Sequence, residues 1–214
     1  MTATPITASY DSPFDYAAQS KVIVIQDVNK NNLQQVAGAF RGLIKASGGG
    51  AVCLFTAINR MRTVYQEISP DLENAGLPVY GQHVDDIDIG TLIDMFRAEE
   101  NATLFGTDAV RDGVDVPGKS LRLLIFDRTP WPRPNILHKA RRKASGQGRT
   151  YDDMITRLKL KQAFGRLIRR ANDKGVFVML DSALPSKLYD AFPAGVEVQK
   201  LGLAAAVREI EGFL

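Results

Sequence analysis

An α/β fold, a doubly wound and mostly parallel sheet with helices on both faces, is predicted by three observations. Short apolar runs rich in Val, Ile, Leu and Phe recur through the whole chain, at 21–28, 51–55, 77–80, 102–105, 121–126 and 176–180. Stretches with helical periodicity separate them, and alternation of strand and helix builds parallel sheets because each crossover needs a helix-length connection. The run AVCLF at 51–55 is continuous rather than alternating, as a strand buried on both faces requires.

The elements follow in order. Residues 1–20 are rich in Thr, Ala, Ser and Pro without a sustained period, so a loosely ordered lead-in is expected before a domain over 21–214. The β-branched run KVIVIQDV (21–28) is a strand, residues 29–32 supply turn and cap, and 33–45 is an amphipathic helix ended by Ser47-Gly48-Gly49-Gly50. Strand 51–55 precedes a helix at 59–68, strand 77–80 a helix at 89–98, and strand 102–105 ends in Gly106-Thr107. Strands 121–126 and 176–180 flank a helix running from about Arg157 to Arg170. Short helices are expected at 186–191 and 204–213, with a possible edge strand at 196–198. One region departs from the alternation. Residues 129–151 carry three prolines, the basic cluster at 139–143 and Ser145-Gly146-Gln147-Gly148, the marks of an insertion.

Composition narrows the function. Net charge is only +3, but 13 Lys/Arg face 2 Asp/Glu between Arg128 and Arg170, leaving 14 against 22 elsewhere. A basic block on an acidic body suggests a polyanion partner, nucleic acid foremost, although a solvated basic loop gives the same count. The single cysteine, Cys53, lies in an apolar run and cannot form an internal disulfide, which suits a reducing cytoplasm. No apolar stretch approaches transmembrane length, so a cytoplasmic protein without membrane contact is expected.

Chemistry concentrates in Gln162-Ala163-Phe164-Gly165-Arg166-Leu167-Ile168-Arg169-Arg170. On a continuous helix Gln162, Arg166 and Arg169 stand at i, i+4 and i+7, one face, with Gly165 clearing space beside it. Two guanidiniums and an amide form an anion-reading stripe, since Arg presents a fixed fork of donors to phosphate oxygens. A solvated basic face is the plain alternative. Residues 113–120 (GVDVPGKS) match a phosphate-binding loop literally. That loop must join a strand to a helix, whereas a short polar stretch precedes it here and a strand follows. Pro117 also removes an amide that should donate.

The pattern Gln-x-x-Gly-Arg-x-x-Arg at 162–169 resembles motif VI of superfamily-two helicases, in the form of the DinG/XPD branch. Residues 104–118 (LFGTDAVRDGVDVPG) resemble motif V of that branch, with Asp112 where relatives usually carry Glu. Residues 51–56 (AVCLFT) resemble motif IV, and 127–134 (DRTPWPRP) the Pro-rich turn after the corresponding strand. Ser12-Pro13-Phe14-Asp15-Tyr16 is similar to the segment leading into the second motor domain. The motifs fall in the family's order at its spacing, and the resemblance covers nearly the whole chain.

The resemblance implies a RecA-like second motor domain. In it Arg166 and Arg169 reach across to nucleotide phosphates held by the N-terminal motor domain, with Gln162 orienting them. Asp115, Gly113 and Gly165 lie near the nucleotide. Thr56, Gly106 and Thr107, with Arg141, Arg142 and Lys143 of the basic insertion, grip single-stranded DNA. Trp131 either stacks on a base or anchors packing. ATP with Mg2+ is bound mainly by the absent first domain, which also carries any iron–sulfur cluster. No true Walker A loop, Asp-Glu-Ala-His box, cysteine cluster or metal-ligand spacing around His83 or His138 occurs here. The chain alone is therefore expected to be inactive as an ATPase. Two rivals stay open: a non-catalytic nucleic-acid-binding module using Lys139, Arg141, Arg142 and Lys143, and a self-sufficient P-loop NTPase using residues 113–120.

Overall fold

A computed structural model describes residues 12–113, Val116 and 118–214. Among them seven strands form one sheet in the order β3-β4-β2-β5-β6-β1-β7, and every pairing is parallel. The strands are β1 (Ser20–Ile25), β2 (Ala51–Leu54), β3 (Val79–Gly81), β4 (Thr103–Gly106), β5 (Leu123–Phe126), β6 (Gly175–Met179) and β7 (Val198–Leu201). The helices are α1 (Tyr16–Gln19), α2 (Leu33–Ser47), α3 (Ile58–Asn74), α4 (Ile89–Ala98), α5 (Asp108–Gly113), α6 (Ile136–Ser145), α7 (Arg149–Phe164) and α8 (Leu203–Phe213), with a 3-10 helix at Ser186–Ala191.

The direction of travel across the sheet decides which face each helix covers. From β1 to β2 to β3 the chain moves one way, and α2 and α3 cover one face with Phe40, Leu43, Met61 and Ile68. From β4 to β5 to β6 it moves back, and α4, α5 and α7 cover the other with Phe96, Val110 and Leu160. A crossover of constant hand must change face when the direction reverses. Phe40, Phe55 and Phe105 stack on the first face, with ring centroids 4.8–6.1 Å apart.

Local signals set the helix ends. Asn32 caps α2 by accepting from the N–H groups of Gln34 and Gln35, and Gly48 closes it in the left-handed region. Asn32→Ala removes both bonds and is expected to lower stability by about 1 kcal/mol in urea unfolding. At Gly50 (φ 57°) an added Cβ would sit 2.3 Å from Arg122 Nη1. That guanidinium donates to the carbonyls of Ser47, Gly48, Glu100 and Lys119, which ties together the edge where β2 and β5 begin.

One sequence expectation needs correction. The helix expected to run to Arg170 stops at Phe164, with Gly165 as its C-cap. Arg166 and Leu167 donate to the carbonyls three residues back, a tightened last turn. Beyond it the N–H groups of Arg169 and Arg170 both donate to Asp173 Oδ2 at 2.8 Å. Leu167 and Ile168 are both buried, and the turn seats the adjacent pair in the core. Gln162, Arg166 and Arg169 therefore do not form one helical face. The basic stretch expected as an insertion within 129–151 contains helix α6, capped by Asn135, which buries none of its residues. In the lead-in, α1 is ordered with Tyr16 against Phe164 at 6.0 Å between ring centroids, whereas residues 1–11 lie outside the described part.

Candidate functional site

Because all strands run the same way, their C-terminal ends share one edge, the place where open α/β sheets bind ligands. Thr56 follows β2, Gln82 follows β3, Thr107 follows β4, Asp127 follows β5 and Asp181 lies just past β6. A cleft of about 60 Å³ at this edge is lined by Thr56, Asp108, Pro130, Trp131, Arg133 and Lys159.

The cleft is built from the inside out. Asp127, fully buried, accepts from the Thr56 N–H at 3.1 Å and from Arg60 Nε at 3.0 Å. Burial pushes its carboxyl above the usual range, against the pull of Arg60. Arg133 Nη2 donates to the Thr56 carbonyl at 2.7 Å, so both backbone polar groups of Thr56 are held. Asp181 is desolvated as well, but it accepts from Lys30 Nζ at 2.6 Å and from the Thr129 N–H and hydroxyl. These bonds outweigh desolvation and hold its carboxyl below the usual range. Arg60 and Arg128 both donate to the Lys30 carbonyl, at 2.9 and 3.3 Å, joining the loop after β1 to the cleft.

The motif V stretch is anchored differently from its sequence reading. The Thr107 N–H and hydroxyl both donate to Gln82 Oε1, at 2.9 and 3.0 Å, so the hydroxyl faces a buried amide. At Gly106 an added Cβ would meet Val110 Cγ2 at 2.0 Å; this glycine lets α5 pack onto the end of β4. Asp108 then pairs with Arg111 at 2.8 Å and lies 3.6 Å from Lys159 of α7. Helices α5 and α7 are thereby linked.

From the cleft, α7 descends to the opposite edge of the sheet, where β6 begins. There Gln162 is exposed on its last turn, and Arg166 and Arg169 follow Gly165. A hollow of about 600 Å³ at this edge is lined by Gly118, Lys119, Arg122, Arg170, Asp173 and Lys174 among others. The tail of the 104–118 stretch thus meets the turn after α7. Gly113 ends α5 and is exposed; Asp115 lies outside the described residues. Residues 113–120 are preceded by helix α5 and followed by strand β5, the reverse of the order a phosphate-binding loop needs.

On α6, Arg141 and Lys143 are exposed, while Arg142 Nε lies 3.2 Å from Asp152 Oδ2. His138 Nε2 reaches the other oxygen of that carboxylate at 2.7 Å, so Arg142 has a structural partner and the sequence reading did not foresee it. Sequence reasoning also missed Gln82, Asp127, Arg60, Arg133 and Lys159. Of these, only Arg133 and Asp127, in the Pro-rich turn, carried any signal. Among the described residues no helix is long and apolar enough to cross a membrane, and no group of three or more His, Cys, Asp or Glu is placed to hold a metal ion.

The sequence model for the helicase C-terminal domain matches residues 40–197. The chain belongs to that family. This helicase C-terminal domain is 36% identical over 156 residues to the ATP-dependent helicase DinG of Mycobacterium tuberculosis, covering 70% of this chain and 23% of that protein. It is 34% identical over 193 residues to the ATP-dependent DNA helicase YoaA of Escherichia coli, covering 84% and 29%. The chain thus spans about a quarter of the length of these relatives. An XPD helicase structure superposes with a TM-score of 0.63 at 20% identity, over 85% of this chain and 35% of that one. The C-terminal domain of the DEAD-box protein Dbp5 does so at 0.60 and 15% identity, over 94% and 100%. The fold is accordingly that of a RecA-like helicase domain, and the sequence is similar to DinG and YoaA helicases over most of the chain.

Proposed function

We propose that this helicase C-terminal domain is the second motor domain of an ATP-dependent DNA helicase. It would supply Arg166 and Arg169 to ATP hydrolysis and the strand-end cleft to a single-stranded DNA track. The observation that carries this reading is the α5–α7 pair. Asp108 and Lys159 join the helix after Thr107 to the helix before Arg166. A change of grip at one edge would then be passed along α7 to the arginine-bearing turn at the other.

In this reading the N-terminal motor domain holds ATP and Mg2+. The second domain closes on the nucleotide, with Gln162 positioning a guanidinium and Gly113, Asp115 and Gly165 lining the approach. Thr56, Arg133, Lys159 and the exposed Arg141 and Lys143 would face the DNA backbone, and the Gly106-Thr107 turn would border it, the Thr107 hydroxyl leaving Gln82 to reach a phosphate. Phosphate contacts of this kind are nearly sequence-blind and salt-sensitive. The chain alone is expected to bind single-stranded DNA without hydrolysing ATP, and fusion to the N-terminal motor domain of a DinG relative to yield DNA-stimulated turnover. Steady turnover by the isolated chain would instead revive residues 113–120 as an autonomous phosphate site. A module that binds nucleic acid only through α6 is the second reading, favoured by the exposure of most of that helix. It predicts that removing the α6 cations abolishes binding while Arg133→Ala and Lys159→Ala leave it intact.

A further inference from the structure

Beside the strand-end cleft lies a second cavity, of about 390 Å³, lined by Trp131, Arg149, Asp152, Asp153, Lys187 and two prolines. Trp131 belongs to both, forming the wall between them. Trp131 is 40% exposed and, among the described residues, stacks on no other aromatic side chain. Asp153 lines the cavity with a side chain 11% exposed; its Oδ2 accepts from Lys187 Nζ, and its Oδ1, which has no hydrogen-bond partner, meets a donor in the cavity once the carboxylate turns toward it. A carboxylate oxygen only accepts, so whatever satisfies it must bring an N–H or O–H.

We propose that this cavity receives one unstacked nucleobase bearing an exocyclic amino group, from a strand whose backbone lies at Thr56, Arg133 and Lys159. The proposal rests on the single-stranded DNA track proposed above. Trp131 supplies the stacking plane, which any base can use. Asp153 supplies discrimination: cytosine, adenine and guanine each carry an amino donor, and a carboxylate reads such groups directly. Thymine offers only a ring N–H flanked by two carbonyl oxygens, which would face the carboxylate with like partial charge. Two carboxylates alone would repel a polyanion, and Arg149 and Lys187 on the cavity wall offset them.

Trp131 is the only tryptophan in the chain, so its emission reports occupancy directly. The chain is titrated with oligodeoxycytidylate, oligothymidylate and an abasic oligomer of equal length. Quenching is expected with the cytidylate strand, which binds about tenfold more tightly than the thymidylate strand, while the abasic strand binds without quenching. Asp153→Asn is expected to erase the difference between the two base-bearing strands without changing abasic binding. Trp131→Ala, followed by anisotropy of a labelled strand, brings both to the abasic level even if the Asp153 variant folds poorly. Strands that bind without quenching or base preference overturn the pocket and leave the track standing. Failure of all strands to bind overturns both. Equal quenching by free cytidine monophosphate overturns the strand-borne base in favour of a soluble nucleotide.

Discussion

When the N-terminal motor domain is joined to this chain, Arg166→Ala is expected to lower DNA-stimulated ATP turnover by about 10³- to 10⁵-fold, the range measured for arginine fingers. Binding of single-stranded DNA should be nearly unchanged, because the strand-end cleft lies at the opposite edge of the sheet from the turn after α7. The geometry behind the expectation is the rigid exit from α7. Gly165 caps the helix, Leu167 and Ile168 are buried, and Asp173 Oδ2 holds the N–H groups of Arg169 and Arg170. Arg166 thus stands on a backbone fixed on both sides, as suits a group that stabilises developing charge without reorganising. Arg166→Lys should recover only part of the loss, since an ammonium cannot make the bidentate fork. Steady-state turnover with saturating DNA checks the prediction, and an Arg166→Ala protein at full rate would remove this residue from the reaction. Asp173→Ala offers a companion test: the arginines remain but their anchor goes, so turnover should fall while nucleotide affinity changes less.

The sheet was legible in the sequence because each buried strand is a continuous apolar run. The run at 51–55 is β2 with one residue to spare, and the 89–98 periodicity coincides with α4. Boundaries slipped where tertiary packing overrides local signals. Helix α3 was expected to end at Ile68 but continues through Pro70 to Asn74, because Leu72 is drawn fully into the core. The expected edge strand at 196–198 falls at Val198–Leu201, where pairing with β1 from Val22 to Ile25 sets the register. The motif VI stripe failed for a related reason. Spacing on an unbroken helix says nothing about Asp173, nine residues downstream of the helix end, which turns the chain out of that helix. The strand-end cleft was only partly readable. Thr56, Thr107 and Trp131 stood in recognisable motifs, but Gln82, Arg60 and Lys159 join them through the order β3-β4-β2-β5, a fact of topology with no local signature.

Arg60→Ala is expected to destabilise the domain by about 3–5 kcal/mol at neutral pH, the cost of leaving a buried charge without its partner. The Asp127 side chain is 0% exposed and that of Arg60 16%, with 3.0 Å between them, so little water can replace the guanidinium. The loss should depend on pH in a definite direction. Burial already raises the Asp127 carboxyl above its ordinary value, and removing Arg60 raises it further. A carboxyl whose pKa is higher in the folded than in the unfolded state favours folding below the unfolded value, and that contribution is lost as pH rises through the folded one. Urea unfolding should therefore show a smaller deficit at about pH 5 than at neutral pH. Asp127→Asn on the Arg60→Ala background removes the charge but keeps an acceptor for the Thr56 N–H, and should restore much of the stability, a coupling read from the double-mutant cycle. A pH-independent deficit, or no rescue, would assign the cost to lost packing of the Arg60 stem instead. Because Asp127 positions Thr56 from below while Arg133 holds its carbonyl, the single variant should also loosen single-stranded DNA binding, and the rescued double variant should tighten it again. Stability and strand grip would then follow one buried ion pair under the floor of the cleft.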